Sequence, residues 1–339
     1  MAQGTRCPPP RIEDSALTKK TCLLVMPLHF YSFGRIIGSG LEAMGYEVTS
    51  ANDEYPQNPF GRALAKLDLP AARWWTRRVF KKRHLSGPRW DLVLIVKGRG
   101  IGPALVEDMK RSAERVVGYH FDALAYDKAA ERWGAAVDRV TTFDYRDARE
   151  KNWPLVELFS AQAPVVPPPA IRYRISAIQR NHSQRLAYLD SVLNAVGAED
   201  SFVFLFEKGV VSLTINALRN PRLYWKWRKH ISFKALSYQD YVGALTASDF
   251  TLDYAHPLQT GATMRSFEAL AMGVKLITNN PHTAESPHFG EHNSVVHTLG
   301  GDPAELKAQV EALRSHRPTP FQRSPAAFLS EVIGSPAGA

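Results

Sequence analysis

The chain alternates between short apolar runs of strand length and amphipathic stretches of helix length, and this alternation constrains its fold more than any other feature. The clearest run is DLVLIVK at residues 91–97, which is apolar at almost every position, as a strand covered on both faces of a parallel sheet requires. Shorter runs of the same kind lie at residues 21–26, 46–50, 115–120 and 139–143. The first half of the chain is therefore predicted to be a doubly wound α/β sheet.

A proline-rich segment, AQAPVVPPPA at residues 161–170, interrupts this pattern, because proline cannot continue a helix or a central strand. The alternation then resumes, with strands expected at residues 201–206, 249–253 and 274–278 and helices at 183–195, 238–246, 262–272 and 303–313. A chain of 339 residues is too long for one small core and suits two domains. We predict a tail at 1–20, a domain at 21–160, a linker at 161–172, a second domain at 173–318 and a tail at 319–339. In such sheets ligands bind beyond the carboxyl ends of the strands, so the cleft between the domains is the expected site.

The composition excludes several other classes of protein. No stretch approaches the roughly 18–20 apolar residues that a membrane-spanning helix needs, and the N-terminal residues lack the apolar core of a signal peptide. Cys7 and Cys22 are the only cysteines, which excludes a disulfide framework and a four-cysteine zinc site. A reduced, cytoplasmic protein is the expectation.

The net charge of +9 comes from two segments rather than from the whole chain. Residues 70–90 hold seven Lys and Arg side chains, residues 218–234 hold six, and neither segment contains an acidic residue. Five of the seven tryptophans lie in the same two segments: Trp74, Trp75, Trp90, Trp225 and Trp227. This composition suits an anionic membrane surface, single-stranded nucleic acid, or a solvated basic face whose tryptophans pack inward. No RNP sequence or zinc finger supports the nucleic-acid interpretation.

The most informative stretch is DYAHPLQTGATMRSFEALAMGVKLITNN at residues 253–280. It is typical of a strand, a turn and a helix that begins near Gly261, and the free N–H groups at the start of such a helix can hold a phosphate. Arg265 and Glu268 are three residues apart and share a face of that helix. A diphosphate attached to a ribose would satisfy both side chains. The plainer alternative is an ordinary turn followed by an amphipathic helix.

The pattern QTGxTxRxxEAL, followed by GxKLITxN, resembles the signature of bacterial GT-B glycosyltransferases of the capsule, exopolysaccharide and lipopolysaccharide type. The resemblance implies an α/β GT-B fold, in which two Rossmann-like domains face a cleft. It also implies that the N-terminal domain holds the acceptor and the C-terminal domain holds the nucleotide sugar, with Glu268 on the donor ribose. The first glutamate of the family's E-x7-E pattern falls on Thr260, which shifts attention for the sugar contact to Gln259 and Thr260.

Further residues complete the expected donor site. Gly261 would let the backbone approach a phosphate closely, and Thr263 lies at the start of the helix. Arg185 resembles the basic residue that GT-B enzymes place opposite the diphosphate. The resemblance implies that no metal is required, because protein cations and a helix terminus stabilise the leaving group. Asp144 and Asp147 are better explained as helix-capping residues than as metal ligands.

An inverting glycosyltransferase also needs a base that removes the proton of the acceptor hydroxyl. The candidates are His120 and Asp122, which follow a strand of the first domain, and His29, which follows the first strand. A lone histidine is more often a satisfied polar residue than a base. The glycines of FGRIIGSG at residues 33–40 do not form a GxGxxG fingerprint, so a dinucleotide-dependent oxidoreductase is not expected.

The resemblance therefore implies a metal-independent glycosyltransferase that uses a nucleotide-sugar donor and a glycan or lipid-linked acceptor in bacterial surface polysaccharide biosynthesis. The basic segments would hold it at the anionic inner face of the cytoplasmic membrane, and no nucleic-acid partner is expected. Two alternatives stay open. One is a GT-B nucleotide-binding protein without transferase activity, and the other is a basic nucleic-acid-binding protein.

Overall fold

The computed structural model describes residues 19–28 and 31–335, which form two parallel β-sheets with helices on their faces. The first sheet has the strand order β2-β1-β3-β4-β5. Its strands are β1 (Lys20–Val25), β2 (Tyr46–Ala51), β3 (Trp90–Val96), β4 (Ala113–His120) and β5 (Arg139–Thr142). The helices of this half are α1 (Tyr31–Ala43), α2 (Pro59–Lys66), α3 (Pro70–Arg83), α4 (Pro103–Arg111), α5 (Ala129–Trp133) and α6 (Tyr145–Lys151).

The second sheet has the order β11-β10-β9-β6-β7-β8. Its strands are β6 (Tyr173–Arg180), β7 (Ser201–Phe206), β8 (Ile231–Ser232), β9 (Ser248–Asp253), β10 (Lys275–Thr278) and β11 (Ser294–Val296). The helices are α7 (Arg185–Val196), α8 (Val210–Arg219), α9 (Pro221–Trp227), α10 (Tyr238–Thr246), α11 (Met264–Ala271), α12 (Pro303–Ala312) and α13 (Pro325–Ile333). All strand pairs in both sheets are parallel, which confirms the prediction of two doubly wound, Rossmann-like α/β domains.

The central strands are apolar at consecutive positions because both of their faces are covered. On β3, Leu92 and Leu94 pack into one hydrophobic cluster, whereas Val93 and Ile95 pack into another on the opposite face. The alternation follows from the two-residue repeat of a strand. In a parallel sheet every strand's carboxyl end lies on the same side of the sheet. On that side Asp144, which follows β5, accepts a hydrogen bond from the Thr260 N–H of the second domain.

The C-terminal segment 319–339, which the sequence predicts to be a tail, contains the helix α13. This helix returns to the first domain, where the ring of Phe328 lies 4.7 Å from that of Phe159 and 4.8 Å from that of Tyr119. The guanidinium group of Arg115 donates a hydrogen bond of 2.9 Å to the carbonyl oxygen of Gly334 at the end of the helix. Because residues 318–325 are rich in proline, the sequence pattern does not predict α13, whose apolar face packs into the core of the first domain.

Both basic segments are largely helical, forming α3 in the first domain and the end of α8 with α9 in the second. In α3, Ala72, Thr76 and Phe80 face inward, so one side of this segment is an ordinary packed surface. No helix among the described residues is long and apolar enough to cross a membrane.

Candidate active site

A cavity of about 1020 Å³ lies between the two domains. The first domain contributes one face of α1 and the start of α13, and the second contributes the carboxyl ends of β6 and β7 and part of α10. Its lining residues include Gln179, Arg180, Phe206, Tyr241 and Arg265. The cavity therefore occupies the place where parallel α/β sheets bind ligands.

Helix α11 is fixed in position by the strand that precedes it. The carboxylate of Asp253, at the end of β9, accepts hydrogen bonds from the hydroxyl groups of Thr263 at 2.8 Å and Ser266 at 3.0 Å. Thr263 is the N-cap, and its side chain also accepts from the Ser266 N–H. The helix begins at Met264 rather than near Gly261. The first-turn N–H groups without a partner among the described residues are thus those of Met264 and Arg265.

Arg265 and Glu268 lie on the same face of α11, as their spacing predicts. Glu268 accepts a hydrogen bond from the hydroxyl group of Tyr241, which lines the cavity. Burial raises the pKa of Glu268 above its usual value, although Tyr241 and Arg265 counteract this effect. Tyr241 carries no signal in the sequence that would have identified it, because its role depends on α10 packing beside α11.

Two arginine side chains, Arg265 and Arg185, lie close enough together for the charge of one to affect the other. Arg265 lies 3.9 Å from the carboxylate of Asp253, and its Nε atom is buried without a hydrogen-bond partner. Arg185, the first residue of α7, likewise has a buried Nε atom without a partner. Burial lowers the pKa of Arg185, and the positive charge of Arg265 lowers it further. Guanidinium groups in this situation are suited to bind an anion.

The positive field extends beyond these two arginines. The pKa of His182 is lowered to about 4 by burial and by the charges of Arg185 and Arg180. Burial and Arg185 also lower the pKa of His256, whose ring lies 4.9 Å from that of Tyr126 in the first domain. One region between the domains is thus surrounded by basic side chains. They come from the ends of β6 and β9 and from the starts of α7 and α11.

The turn before α11 contacts the first domain instead of opening to the cavity. The Thr260 N–H donates a 2.6 Å hydrogen bond to the carboxylate of Asp144, and the Thr260 hydroxyl accepts one of 3.1 Å from the Arg146 N–H. An ideal Cβ on Gly261 would lie only 2.3 Å from the carbonyl oxygen of Phe143. The expectation that Thr260 and Gly261 cradle a phosphate is therefore corrected: these residues join the two domains. The Gln259 N–H is also occupied, because it donates to the carbonyl oxygen of His256 at 2.8 Å.

Asp144 caps a helix as predicted, whereas Asp147 binds a backbone group elsewhere in the first domain. Asp144 is the N-cap of α6 and accepts from the Arg146 and Asp147 N–H groups. Asp147 accepts a 2.7 Å hydrogen bond from the Leu124 N–H. Both carboxylates thus accept hydrogen bonds from backbone groups of the first domain, and Asp144 also binds the Thr260 N–H at the domain contact.

The proposed bases lie deeper than the sequence suggests. His120 is only 1% exposed, both of its ring nitrogens lack hydrogen-bond partners, and burial lowers its pKa to about 4. Asp122 pairs with Lys97 at 2.6 Å. Neither side chain lines the interdomain cavity as the structure describes it. His29 lies outside the described residues. Assignment of the base stays a prediction, and His120 would need a rearrangement to reach an acceptor in the cavity.

A buried carboxyl group, which sequence reasoning missed, lies at the same edge of the first sheet. Asp53 follows β2 and is 1% exposed. One of its oxygens accepts a 3.0 Å hydrogen bond from the Arg99 N–H, and the other is buried without a partner. Burial, opposed by the bond from Arg99, raises its pKa to about 7.

This carboxyl group should make stability depend on pH. The folded protein holds the Asp53 proton up to about pH 7, whereas the unfolded chain releases it near its usual pKa of 3.8. The contribution of Asp53 to stability is therefore present at low pH and is lost as the pH rises from about 4 through 7. Asp53→Asn should remove this loss and raise the free energy of unfolding at pH 8 by roughly 2–4 kcal/mol.

Urea unfolding of both proteins between pH 4 and pH 8 measures the effect as a difference that grows with pH. Because burial lowers the pKa of His120, this residue makes stability rise with pH instead, but its effect is the same in both proteins. Asp200→Asn, which makes the same change on the exposed surface, is the control. Parallel pH profiles for wild type and Asp53→Asn would contradict a protonated Asp53.

No family model and no curated protein matches the chain. Solved structures do match it over nearly their whole length. They include sucrose-phosphate synthase from Thermosynechococcus elongatus (TM-score 0.56, 11% identity, covering 93% of this chain and 94% of that one). The apo lipopolysaccharide outer core galactosyltransferase WaaB also matches (TM-score 0.54, 10% identity, 92% and 99% covered). A third match is the UDP-GlcNAc 2-epimerase of Methanocaldococcus jannaschii in complex with UDP-GlcNAc and UDP (TM-score 0.50, 11% identity, 91% and 98% covered).

The two Rossmann-like domains and the cleft between them define the GT-B fold. The structural neighbours include GT-B glycosyltransferases, and the epimerase shows that the same arrangement of domains also carries other nucleotide-sugar chemistry. At these identities the likeness establishes the fold alone.

Proposed function

We propose that the protein transfers a glycosyl group from a nucleoside diphosphate sugar to a glycan or lipid-linked acceptor. The observation that carries this proposal is that Arg185, which has no ion-pair partner among the described residues, lies close to Arg265, which lines the cavity between the domains and shares a face of α11 with Glu268. A diphosphate needs cations, and a ribose needs a hydrogen-bond acceptor. Arg265 supplies a cation and Glu268 supplies an acceptor within one helical turn of α11, and Arg185 adds a second cation from α7.

The leaving group is the part of the reaction that these residues serve. As the bond to the sugar breaks, negative charge develops on the diphosphate, and the two guanidinium groups stabilise it. The first-turn amides of α11 add the positive end of a helix dipole. Glu268 exchanges its hydrogen bond from Tyr241 for one from a ribose hydroxyl group, which orients the donor. No metal ion is required by this arrangement.

The acceptor side is carried by the first domain in this proposal. His120, Asp122 and His29 remain the proposed bases. In the chain they stand at or after the carboxyl ends of β4 and β1. The signature at residues 259–280 and the galactosyltransferase among the structural neighbours support a role in bacterial surface polysaccharide biosynthesis. The basic, aromatic segments support a location at the inner face of the cytoplasmic membrane.

Nucleotide binding tests the donor site. We expect at least one common nucleoside diphosphate to raise the melting temperature, and Glu268→Ala to weaken its binding by about tenfold or more, because a hydrogen bond to a charged group is lost. Glu291→Ala is the matched control, since that side chain is 88% exposed. Titration calorimetry with both variants provides the affinities.

An assay of the reaction products then distinguishes a transferase from the other candidate functions. Mass spectrometry of nucleotide sugars incubated with the protein should detect a released nucleoside diphosphate together with a glycosylated product or a slow hydrolysis product. A changed sugar still attached to its nucleotide would indicate an epimerase. Binding without any reaction would favour the nucleotide-binding protein without transferase activity. Indifference to every nucleoside diphosphate, combined with salt-sensitive oligonucleotide binding, would favour the basic nucleic-acid binder.

A further inference from the structure

Helix α8 presents an apolar face to solvent. None of its residues is buried, and Val210, Val211 and Leu218 are 68%, 75% and 77% exposed. Together with Ile215, they fall on one side of the helix, given its 3.6-residue repeat. A surface helix of a globular domain normally buries such a face, so an exposed one indicates a binding surface.

The chain from just before α8 to just after α9 carries many cationic side chains. Residues 208–239 contain seven Lys and Arg side chains and no Asp or Glu. Lys226 pairs with Asp190 at 2.6 Å. Across the described part of the chain, no carboxylate lies within 4.0 Å of the other six: Lys208, Arg219, Arg222, Arg228, Lys229 and Lys234. Trp225 is 70% exposed, and the guanidinium of Arg228 lies 4.0 Å above its ring.

The α8–α9 hairpin (residues 208–234) is firmly attached to the domain despite its exposed face. The fully buried carboxylate of Glu207 accepts hydrogen bonds from the Tyr224 hydroxyl at 2.7 Å, the Asn181 amide at 2.9 Å and the Ser212 hydroxyl at 2.8 Å. Trp227 is buried and donates to Asp190 at 2.9 Å. The exposed apolar face is therefore held in place and not created by a loose segment.

Both ends of the hairpin lead directly into the interdomain cavity. Phe206, two residues before Lys208, lines the cavity, and so do Ala235 and Leu236, which follow Lys234. Whatever the hairpin binds is consequently held at the rim of the proposed active site.

We propose that the α8–α9 hairpin docks onto an anionic lipid bilayer, with the valines and leucine of α8 inserted at the acyl boundary and the cations of α9 on the phosphate headgroups. Aliphatic side chains of this kind gain free energy by leaving water for the acyl region, and each nearby Lys or Arg adds electrostatic attraction. Single-stranded nucleic acid would stack its bases on aromatic side chains; the hairpin offers the exposed ring of Trp225 for this, whereas the exposed face of α8 is aliphatic, which favours the acyl region of a membrane. A consequence, which rests on the proposed function, is that an amphiphilic, lipid-linked acceptor enters the cavity from the membrane side.

Vesicle flotation tests the proposal with the full chain. Wild type should bind vesicles of phosphatidylcholine with phosphatidylglycerol and bind poorly to phosphatidylcholine alone. Val211→Glu and Leu218→Glu should each weaken binding to the anionic vesicles by about tenfold or more, because each removes an inserted apolar group and adds a repelled charge. Val166→Glu makes the same change at a linker residue that is 82% exposed and should bind like wild type.

The outcomes separate docking from catalysis. Melting-temperature shifts with a nucleoside diphosphate should be unchanged in Val211→Glu, so a docking failure is distinguishable from loss of the donor site. Wild-type binding by both α8 variants, or loss of binding only after Trp74→Ala in α3, would overturn the assignment to this hairpin. A wild-type protein that ignores anionic vesicles but binds oligonucleotides would overturn the membrane partner itself.

Discussion

Arg265→Ala is expected to lower the affinity for a nucleoside diphosphate by about 100-fold, because it removes a desolvated cation and its charge-assisted hydrogen bonds to the diphosphate. Arg185→Ala should have an effect of similar size. The double variant should lose less than the sum of the two effects, since both guanidinium groups hold the same anion. Titration calorimetry at low ionic strength measures these affinities directly.

The controls for this experiment separate charge, geometry and folding. Arg265→Lys keeps the charge but loses the planar fork of the guanidinium, so its affinity should fall between wild type and Arg265→Ala. Arg314→Ala, on the exposed surface, should have no effect on binding. The unliganded melting temperature shows whether Asp253 and Glu268, left without their cation, destabilise the fold. Unchanged affinity in a folded Arg265→Ala protein would remove the principal support for a donor site at α11.

Gly261→Ala is expected to be the most destabilising small change at the domain contact. Its Cβ would meet the backbone oxygen of Phe143 at 2.3 Å and a carbon of the Phe143 ring at 2.5 Å. A backbone oxygen cannot move aside cheaply, so the turn must shift, at a cost of about 1–3 kcal/mol. The shift would also break the hydrogen bonds between Thr260 and the first domain. Thermal unfolding and amide hydrogen exchange at residues 256–263 measure the two effects.

Gly243→Ala in α10 is the matched control, because an added Cβ there meets nothing within 4 Å. It should stabilise the protein slightly, by about 0.5–1 kcal/mol, since alanine is the better helix former. If Gly261→Ala unfolded like wild type and its turn exchanged no faster, the domain contact through Phe143 would be absent in solution.

The sequence predicts the arrangement of Arg265 and Glu268 correctly, but it does not predict what Thr260 and Gly261 contact. Arg265 and Glu268 were brought together by an i, i+3 spacing, which depends only on the helix repeat. Thr260 and Gly261 are adjacent to them in sequence yet face Phe143 and Asp144, more than a hundred residues away. Nothing in the local pattern distinguishes a glycine needed by a phosphate from a glycine needed by a neighbouring domain.

His120 illustrates the same difficulty for the acceptor side. A histidine at the end of a strand is placed at the right edge of the sheet by topology, but its exposure depends on what packs above it. Here that position is 1% exposed. Tyr241 is the converse case, because an unremarkable helical tyrosine becomes part of the site only through its hydrogen bond with Glu268.

The sequence by itself determined the parallel α/β class, the two sheets and the shared face of Arg265 and Glu268, since these follow from repeats of two and 3.6 residues. Only the tertiary structure decided that α13 returns to the first domain, that the Gln259–Gly261 turn joins the domains, and that Arg185 lies beside Arg265. Those outcomes depend on contacts between segments far apart in the chain, whose free energies come from burial and packing and leave no local repeat to read.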